Sequence, residues 1–539
     1  MAAQTAISVP VTSGPINATH AVENQASALQ NYNLYLTDPG LVAACERAQA
    51  SGRLAEFGAL MGTEELIRAG FQANENPPVL KTHDRFGHRI DEVDFHPAYH
   101  TLMRHSLEFG LHSLPWSEPK PGAHVARIAL MYLASQNESG HTCPVSMTYS
   151  AVPALRKQRE VADVWEPRVF PMAYDSRCRP AAEKSGVTIG MAMTEKQGGS
   201  DVRANSTIAE RISGNEYRIT GHKWFCSAPM CDAFLVLAQA AGGLTCFLMP
   251  RWTPDGERNH FHLQRLKNKL GNRSNASSEV EFQSAWAQRI GEEGRGVPAI
   301  IEMVQHTRLD CVMGSASLMR QALVQAIHHA RRRMAFGKLL IEQPLMQNVL
   351  ADLAIESQAA MLLMIRLAQA FDGGDGLARL GTAIAKYWVC KRGPQAVTEA
   401  LECLGGNGFV EECILPRLLR ESPLNSIWEG SGNVICLDVL RAIGKDPDSL
   451  VRLQAEIRGV SPAIDAWMDR LGEPDESNAR AFNERLALAW QASLMVRHAK
   501  PESADLFVRS RMGADRSRMF GTLPAGGHLR KIVEESFPA

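Results

Sequence analysis

The order of sequence patterns along the chain constrains its fold more than any other feature. Residues 1–186 and 291–539 contain segments with apolar residues at helical spacing, of which 296–337 is the longest. Between them, residues 187–290 consist of short runs rich in aromatic or β-branched residues, separated by Gly, Asn, Asp and Pro. The sequence therefore predicts a helical protein interrupted by one β domain.

Four regions follow from this order. We predict an N-terminal helical domain over 1–186, a β domain over 187–290, a helical bundle over 291–445 and a further helical, arginine-rich domain over 446–539. The bundle is predicted because three long helical segments in 291–445 are joined by short loops.

Composition excludes several classes of protein. The net charge is −1, so the whole chain has no bulk attraction for nucleic acid or anionic membranes. No apolar run reaches the roughly 18 residues of a membrane span, and residues 1–14 lack the pattern of a secretory signal. The eleven cysteines contain no C-x-x-C pair, which argues against a zinc site or a disulfide framework. We expect a cytoplasmic protein without a metal site, and with free cysteines buried as small apolar residues.

Two stretches of the β domain could contact a ligand. Met191–Val202, "MAMTEKQGGSDV", contains two glycines and a serine that allow close backbone approach, although an ordinary turn has the same composition. Gly221–Pro229, "GHKWFCSAP", places a Trp before a small hydroxyl residue. The Trp could cover a flat ring of a ligand, or it could pack in the core of the β domain.

Two stretches of the bundle are equally ambiguous when taken singly. Arg331–Leu340, "RRRMAFGKLL", ends a long helix with three arginines, which suit a helix C-terminus or a pyrophosphate. Glu402–Glu412, "ECLGGNGFVEE", is typical of a glycine-rich helix cap but also permits close approach to a ligand.

A fifth stretch, Asn425–Asn433, reads "NSIWEGSGN". Glu429 is its only ionisable side chain, and it follows a Trp within a glycine-serine loop. A surface turn and a catalytic base beside a flat cofactor both fit this composition.

Taken together, these motifs in this order resemble the acyl-CoA dehydrogenase family. "MTEKQGGSDV", "KWFCS", "RMAFGK", "LGGNG" and "WEGSGN" carry the resemblance. "LKNKLGNRSNASSEVEFQ", "PLNSIWEGSGN" and the extra C-terminal region are similar to the AidB branch of that family, which is associated with the adaptive response to alkylation damage. The resemblance implies an acyl-CoA dehydrogenase fold, with an N-terminal helical domain, a middle β-barrel, a C-terminal four-helix bundle and an extra helical C-terminal domain.

The resemblance also implies FAD between barrel and bundle. Its expected contacts are Met191, Ala192, Met193, Thr194, Glu195, Lys196, Gln197, Gly198, Gly199, Ser200, Trp224, Phe225, Cys226, Ser227, Ile427, Trp428, Gly430, Ser431, Gly432, Asn433 and Leu437. Arg333 and Phe336 match residues that reach the FAD of a neighbouring subunit, which implies a homotetramer. Glu402 and Pro344 stand where the family often has glutamine, so the adenosine end of the site is expected to differ.

The resemblance implies a catalytic role for Glu429. Family members remove a proton from Cα of an acyl thioester while hydride leaves Cβ for flavin N5, and Glu429 matches the base. A buried carboxylate with a raised pKa suits this step. Some members carry the base on the long helix instead, where this chain has Thr307, which cannot act as a base.

The C-terminal region is a candidate DNA-binding surface. From residue 449 onward it has thirteen Lys or Arg and twelve Asp or Glu, so a solvated helical surface is one interpretation. The AidB branch binds double-stranded DNA through this region, which implies sequence-independent, salt-sensitive binding. The candidate cations are Arg497, Lys500, Arg509, Arg511, Arg516, Arg518, Arg530 and Lys531.

Three functions remain open from the sequence. The first is a flavoprotein with weak acyl-CoA dehydrogenase activity that binds duplex DNA and protects it from alkylation. The second is a metabolic dehydrogenase of short or branched acyl-CoA without a DNA role. The third is a DNA-shielding protein that uses FAD only structurally.

Overall fold

The computed structural model describes residues 19–50, 52–513, 517–524, 526 and 528–538. The predicted absence of a secretory signal falls on residues 1–14, which lie outside the described residues.

The N-terminal region is mainly helical. Its elements in chain order are α1 Pro39–Arg47, α2 Leu54–Met61, α3 Glu64–Glu75, β1 Val79–His83, β2 Arg89–Asp94, α4 Pro97–Glu108, α5 Leu114–Ser117, α6 Ala123–Asn137, α7 Thr142–Leu155 and α8 Arg159–Val169. The antiparallel β1–β2 hairpin was not predicted. Gly87, at φ +87°, closes the turn of this hairpin. The residues of β1 alternate only between exposed and half-buried positions, so the alternation of apolar and polar residues in the sequence is weak.

The β domain is a closed barrel. Its strands are β3 Ile189–Ala192, β4 Ile208–Ser213, β5 Glu216–Ser227, β6 Ala233–Ala240, β7 Gly243–Pro250, β8 Phe261–Leu266 and β9 Ser277–Ile290. The ring runs β4–β5–β9–β7–β6 and returns from β6 to β4, while β3 and β8 pair with β6 and β9. Closure satisfies the strand edges, and this confirms the barrel that the resemblance implied.

The bundle consists of long helices, as predicted. Its elements are α9 Gly296–Ala330, β10 Met334–Ala335, β11 Lys338–Leu339, α10 Pro344–Gly373, α11 Ala378–Glu402, α12 Leu415–Glu421 and α13 Gly432–Lys445. Helix α9 is buried on all sides because it packs against α6, α7, α10, α11 and the barrel. Helix α10 is long and apolar enough to cross a membrane, but 83% of its most apolar window is buried within the protein, as in a core helix.

The C-terminal region joins the core of the bundle. Its helices are α14 Pro447–Ile457, α15 Pro462–Met468, α16 Ala479–His498, α17 Pro501–Met512 and α18 Leu529–Ser536. Helix α16 packs on α10, α11 and α13, and α18 packs on α10. Trp490, Phe507 and Val533 are fully buried in the same apolar cluster as the bundle. The region is therefore an extension of the bundle rather than a separate globule.

Two apolar cores meet along α9. Ile300 and Met303 belong to the barrel core, whereas Leu309 and Val312 belong to the bundle core. Thr307 lies between these two pairs, so residues around it are placed at the junction of barrel and bundle. All eleven cysteines are free and nine of them are buried, which confirms their prediction as small core residues.

Candidate functional site

Glu429 lies at this junction, in a short loop before α13. Its backbone is left-handed, with φ +58°, and Gly430 follows at φ +113°. Such a conformation is strained for a residue with a side chain and persists only where the surroundings hold it. The loop turns sharply here, so the Glu429 side chain points towards α9.

Hydrogen bonds from α9 and α11 hold the loop. Arg308 Nε donates to the Glu429 carbonyl at 2.9 Å, and the buried Lys386 Nζ donates to the carbonyls of Trp428 and Gly430 at 2.8 and 2.6 Å. Arg308 is itself fixed by an ion pair with Asp438 at 2.6 Å. The position of the Glu429 carboxylate is therefore set by residues distant in sequence.

Thr307 contacts the carboxylate itself. Its Oγ1 donates to Glu429 Oε2 at 2.9 Å. The two positions at which the resemblance implies a base, 429 and 307, are thus adjacent here, one holding the acid and the other a hydroxyl that orients it. Burial raises the pKa of the Glu429 carboxyl, and the Thr307 hydrogen bond and the charges of Lys386 and Arg308 oppose this rise.

Thr307→Val is expected to move the acidic limb of the kcat/KM pH profile to higher pH. The Thr307 hydroxyl favours the ionised carboxylate, so its loss raises the pKa of Glu429 further. A smaller fraction of Glu429 is then ionised at the pH values of the acidic limb. A hydrogen bond to a charged group is worth about 1.5 kcal/mol, which corresponds to a loss of roughly tenfold in rate on the limb.

Thr307→Ser is the control for this substitution, because it keeps the hydroxyl and should keep the profile. An unchanged limb in Thr307→Val would show that the hydrogen bond does not act on the base.

The predicted cofactor loop lies at the end of the barrel, across β3 and the segment that follows. Thr194 and the exposed residues Lys196, Gly198, Gly199 and Ser200 are accessible, and the Thr194 carbonyl accepts from the Trp224 backbone N–H at 2.8 Å. A Cβ on Gly199 would lie 2.4 Å from Thr194 Oγ1, so only glycine permits this tight turn.

Three predicted cofactor contacts, Ala192, Glu195 and Cys226, have side chains that are fully buried in the barrel, which leaves their backbone groups for a ligand. Glu195 instead fixes the loop, because it binds Lys223 Nζ at 2.7 Å and the Ser206 backbone N–H at 2.7 Å. Burial of Glu195 would raise its pKa, but these partners lower it to about 2.

The aromatic wall is partly exposed. Trp224 is half-buried, and three cations lie over its ring, with Lys267 Nζ at 3.2 Å, Arg265 Cζ at 5.7 Å and Lys196 Nζ at 5.8 Å from the ring centroid. Phe225 is about half exposed beside it. Of the remaining predicted contacts, Met191, Met193 and Trp428 pack partly on the barrel core, and Gln197 binds Glu195 at 2.8 Å. The partly exposed Trp224 and Phe225, together with the glycine loop, fit a flat flavin.

The last predicted contacts, at 427–437, lie in the loop before α13 and in the first turns of that helix. Ile427, Ser431 and Asn433 are exposed, Gly432 is buried, and Leu437 is half-buried. Arg333 and Phe336 lie in another part of the chain. Arg333 directly precedes β10, and Phe336 lies in the turn between β10 and β11. Arg333 donates to the Asn24 carbonyl, while the Phe336 side chain is 99% exposed at φ +51°.

Sequence reasoning missed a buried polar cluster around Cys143, which is close enough to Glu429 to be affected by its charge. Cys143, from the first turn of α7, lies beside Ser227, Asn275 and Lys269, and burial raises its pKa to about 12. Lys269 Nζ donates to Ser277 Oγ at 3.0 Å, and Ser277 Oγ lies 3.3 Å from Ser227 Oγ. Burial lowers the pKa of Lys269 to about 8. These residues come from three segments, and no local pattern connects them.

The predicted DNA-binding cations differ in accessibility. Six of them are exposed: Arg497, Lys500, Arg509, Arg518, Arg530 and Lys531. Four of these face a carboxylate, in the pairs Lys500–Glu535, Arg509–Asp505, Arg530–Glu534 and Lys531–Glu502. Arg516 lies outside the described residues.

Arg511 must be removed from the predicted set. Its side chain is only 11% exposed and is paired with Asp352 and Glu356 of α10. The guanidinium is therefore committed to the interior and cannot reach a phosphate. No group of three or more His, Cys, Asp or Glu side chains that could hold a metal is found among the described residues.

Comparisons with known proteins agree with this architecture. Family models match three consecutive parts of the chain: the adaptive response protein AidB N-terminal domain at 24–176, the acyl-CoA dehydrogenase middle domain at 190–285 and the acyl-CoA dehydrogenase C-terminal domain at 294–444. Residues beyond 444 lie outside these matches, as expected for an additional region.

Individual relatives cover nearly the whole chain. The putative acyl-CoA dehydrogenase AidB of Escherichia coli K12 is 46% identical over 508 residues, which are 91% of this chain and 94% of that protein. The structure of Caenorhabditis elegans ACDH-11 in complex with C11-CoA superimposes with a TM-score of 0.82 at 26% identity, and the match covers 98% of this chain and 100% of the other. Butyryl-CoA dehydrogenase of Megasphaera elsdenii, at 19% identity and a TM-score of 0.58, shares the fold over 75% of this chain and 97% of its own.

These matches identify an FAD-dependent oxidoreductase of the acyl-CoA dehydrogenase type. The half-buried Trp224, the glycine loop at 198–199 and the Glu429 carboxylate held by Thr307 are consistent with such an enzyme. The chain belongs to the acyl-CoA dehydrogenase family, and within it to the AidB branch.

Proposed function

We propose that this flavoprotein binds double-stranded DNA through its C-terminal region and protects it from alkylation, with weak acyl-CoA dehydrogenase activity. The observation that supports DNA binding is the set of six exposed cations at 497–531 on α16, α17, α18 and their connections. The similarity to AidB, whose N-terminal domain is described as that of an adaptive response protein, supports the protective role.

The carboxylates beside these cations do not prevent phosphate binding. Arg509 and Asp505 are 57% and 61% exposed, and such pairs in water are worth only about 0–1 kcal/mol. A duplex phosphate can therefore replace the carboxylate at low ionic strength. Backbone contacts of this kind carry no base readout, so binding is expected to be independent of sequence.

Binding of a labelled duplex to the full-length protein, measured by fluorescence anisotropy at several salt concentrations, tests this proposal. The triple variant Arg509→Gln, Arg518→Gln, Arg530→Gln is expected to bind about 10–100-fold more weakly at low salt. Each lost phosphate contact should also reduce the magnitude of the slope of log K against log salt concentration by about one.

The matched control is Arg68→Gln, Arg218→Gln, Arg273→Gln, which removes the same charge from exposed positions in the other regions. Equal losses in both triple variants would show only a general effect of charge, and no loss in either would contradict the assignment. Protection is measured separately, as base alkylation in plasmid DNA exposed to a methylating agent with and without the protein.

Acyl-CoA dehydrogenation is a second function favoured by a specific observation, the Glu429 carboxylate oriented by Thr307. The C11-CoA bound to ACDH-11 supports an acyl-CoA substrate. Glu429 would remove the Cα proton, and Arg308 and Lys386 would keep its loop in place. Bound FAD supplies the hydride acceptor. Anaerobic bleaching of the flavin by a panel of acyl-CoA thioesters, with and without DNA, tests this activity.

The same experiment separates the remaining alternatives. Rapid bleaching together with absence of DNA binding would favour an ordinary metabolic dehydrogenase. Absence of bleaching, with protection that survives loss of Glu429, would favour a DNA-shielding protein that uses FAD structurally.

A homotetramer in the cytoplasm completes the proposal. The fully exposed Phe336, held in a left-handed turn, is an apolar side chain of the kind that a neighbouring subunit covers. Free thiols persist in the reducing cytoplasm. A monomeric mass by light scattering, or recovery in a non-cytoplasmic fraction, would contradict these two points.

A further inference from the structure

A cavity of about 290 Å³ lies between the N-terminal region and the barrel. Its walls are the end of β2 with the first turns of α4, the start of α7, the connection between α8 and β3, and the turn between β5 and β6. The volume is near the lower limit of the roughly 300–1,000 Å³ that is typical of small-molecule sites. An occupant of this cavity is therefore a small molecule.

One hydroxyl group in the cavity lining has no partner. Tyr99 lines the cavity and is only 4% exposed, and its hydroxyl forms no hydrogen bond with any residue that the structure describes. Burial raises the pKa of Tyr99 well above its usual value, so the phenol stays protonated and can donate. The neighbouring Tyr174 hydroxyl, by contrast, is bonded to His100 Nδ1 at 2.7 Å. A buried donor without a partner is costly, so Tyr99 favours an occupant that carries an acceptor.

The walls of the cavity suit a flat ring. Phe95 and Tyr99 are stacked, with their ring centroids 4.3 Å apart and their planes at 16°, and both residues line the cavity. Met103 and Met230 line it as well. Aromatic rings pack favourably against other rings, and thioether sulfur makes favourable contacts with ring edges. The lining therefore favours an aromatic occupant.

The charged side chains of the lining are all paired. Burial lowers the pKa of His100, so its imidazole is uncharged at neutral pH. The other four each belong to an ion pair, in the pairs Glu92–Arg258, Asp94–Lys81, Asp175–Arg177 and Lys184–Asp232. A charged ligand would lose its water here without gaining a free counter-charge, which is unfavourable. The cavity therefore selects for an uncharged molecule.

A thin wall separates the cavity from the flavin site. Pro144 lines the cavity, whereas Cys143, one residue earlier, belongs to the buried cluster near the base. Ala228 also lines the cavity, and it follows Ser227 of the same cluster. The left-handed backbone of Ala228, at φ +49°, is held by a bond from its N–H to the Ala276 carbonyl at 2.7 Å. A molecule in the cavity is therefore expected to bind together with FAD and not in its place.

We propose that this cavity is a second ligand site, which takes a small, uncharged aromatic molecule that accepts a hydrogen bond from Tyr99. Neither DNA binding nor acyl-CoA dehydrogenation requires this site, so its test is independent of both.

Four probes of similar size test the proposal by ligand-observed NMR titration of the full-length, FAD-saturated protein. Benzamide is uncharged and carries an acceptor, toluene lacks the acceptor, benzoate is an anion and benzamidine is a cation. Benzamide is expected to bind about 2–10-fold more tightly than toluene, which is the contribution of one uncharged hydrogen bond. Benzoate and benzamidine are expected to bind at least about tenfold more weakly than benzamide, because each must bury an unpaired charge.

Two substitutions locate the binding site. Tyr99→Phe removes only the free hydroxyl, so it should weaken benzamide about 2–10-fold and leave toluene unchanged. Met230→Trp places a larger side chain in the cavity and should weaken both probes more than about tenfold. Tyr387→Phe, which removes a hydroxyl from α11 outside the cavity lining, is the control and should change neither.

Several results would overturn the proposal. One is failure of all four probes to bind the wild-type protein, and another is equal affinity for benzamide, benzoate and benzamidine. Benzamide binding that is unchanged in both Tyr99→Phe and Met230→Trp would place the ligand outside the cavity. Displacement of benzamide by acyl-CoA would assign the cavity to the substrate site. Tyr99→Phe is nearly isosteric and Met230 is only half-buried, so both variants should fold, which circular dichroism and FAD content verify.

Discussion

Glu429→Gln is expected to lower the rate of flavin reduction by acyl-CoA about 10²–10⁴-fold, which is the usual contribution of a positioned general base. The glutamine amide has nearly the same shape and can still accept from Thr307 Oγ1, so the loop should remain in place. The backbone bonds from Arg308 and Lys386 do not involve the side chain and are unaffected. FAD should therefore stay bound, and the loss should appear in the reduction step. Stopped-flow bleaching of the flavin at saturating acyl-CoA measures it.

Glu421 provides a demanding control for this substitution. Burial raises its pKa to about 7, which would suit a base near neutral pH, but both of its oxygens accept hydrogen bonds from Asn272, at 2.6 and 2.7 Å. Because it is sealed by these bonds, Glu421→Gln should change the reduction rate by less than about tenfold. A larger loss of the reduction rate in Glu421→Gln than in Glu429→Gln would show that Glu429 is not the base.

The catalytic loop illustrates which parts of the site the sequence could predict. Glu429 and Trp224 belong to short local motifs, so the chain itself indicates them. Lys386 could not be assigned, because its role depends on α11 lying against a loop more than 40 residues away. Cys143 and Lys269 were missed for the same reason, since α7 and the segment before β9 meet only in the folded protein.

The fold shows a similar limit. The alternation of long apolar helices with a strand-rich segment predicted a β domain between helical regions, because both periodicities are strong, and the resemblance implied that this domain is a barrel. The β1–β2 hairpin was missed because its strands are short and partly exposed. Residues 446–539 were predicted as a separate domain, yet Trp490 and Phe507 are buried in the bundle core. Apolar spacing identifies a helix but not the neighbour against which it packs.

The exposure of charged side chains was the property that sequence position predicted least well. Arg509 and Arg511 lie on the same helix two residues apart, and both were predicted to contact DNA. They point to different sides of α17, so one is 57% exposed while the other is 11% exposed and bound to Asp352 and Glu356. Helical geometry places residues two apart about 200° around the axis, which explains the difference.

Arg511→Met is expected to destabilise the protein by about 3–5 kcal/mol, because it leaves buried carboxylates without their partner. Glu356 retains Arg392 at 2.8 Å, but Asp352 keeps only the Gly521 backbone N–H at 2.9 Å among its partners in the described residues. The C-terminal segment is tied to α10 through these contacts, so it should detach first. Hydrogen exchange of residues 499–538 and thermal unfolding measure the effect, and Arg509→Met, at the exposed position, should lie within about 0.5 kcal/mol of wild type.

A second substitution distinguishes buried charge from lost packing. Arg511→Met combined with Asp352→Asn removes the unpaired carboxylate while keeping an acceptor for Gly521, so it should recover part of the stability lost by Arg511→Met alone. If the double variant is no more stable than Arg511→Met, the stabilising contribution of Arg511 is the contact of its guanidinium with the rings of Phe507 and Phe520. In either case a loss of DNA binding in any variant that contains an Arg511 substitution reports a detached C-terminal segment. Only exposed cations such as Arg509, Arg518 and Arg530 can therefore test DNA binding itself.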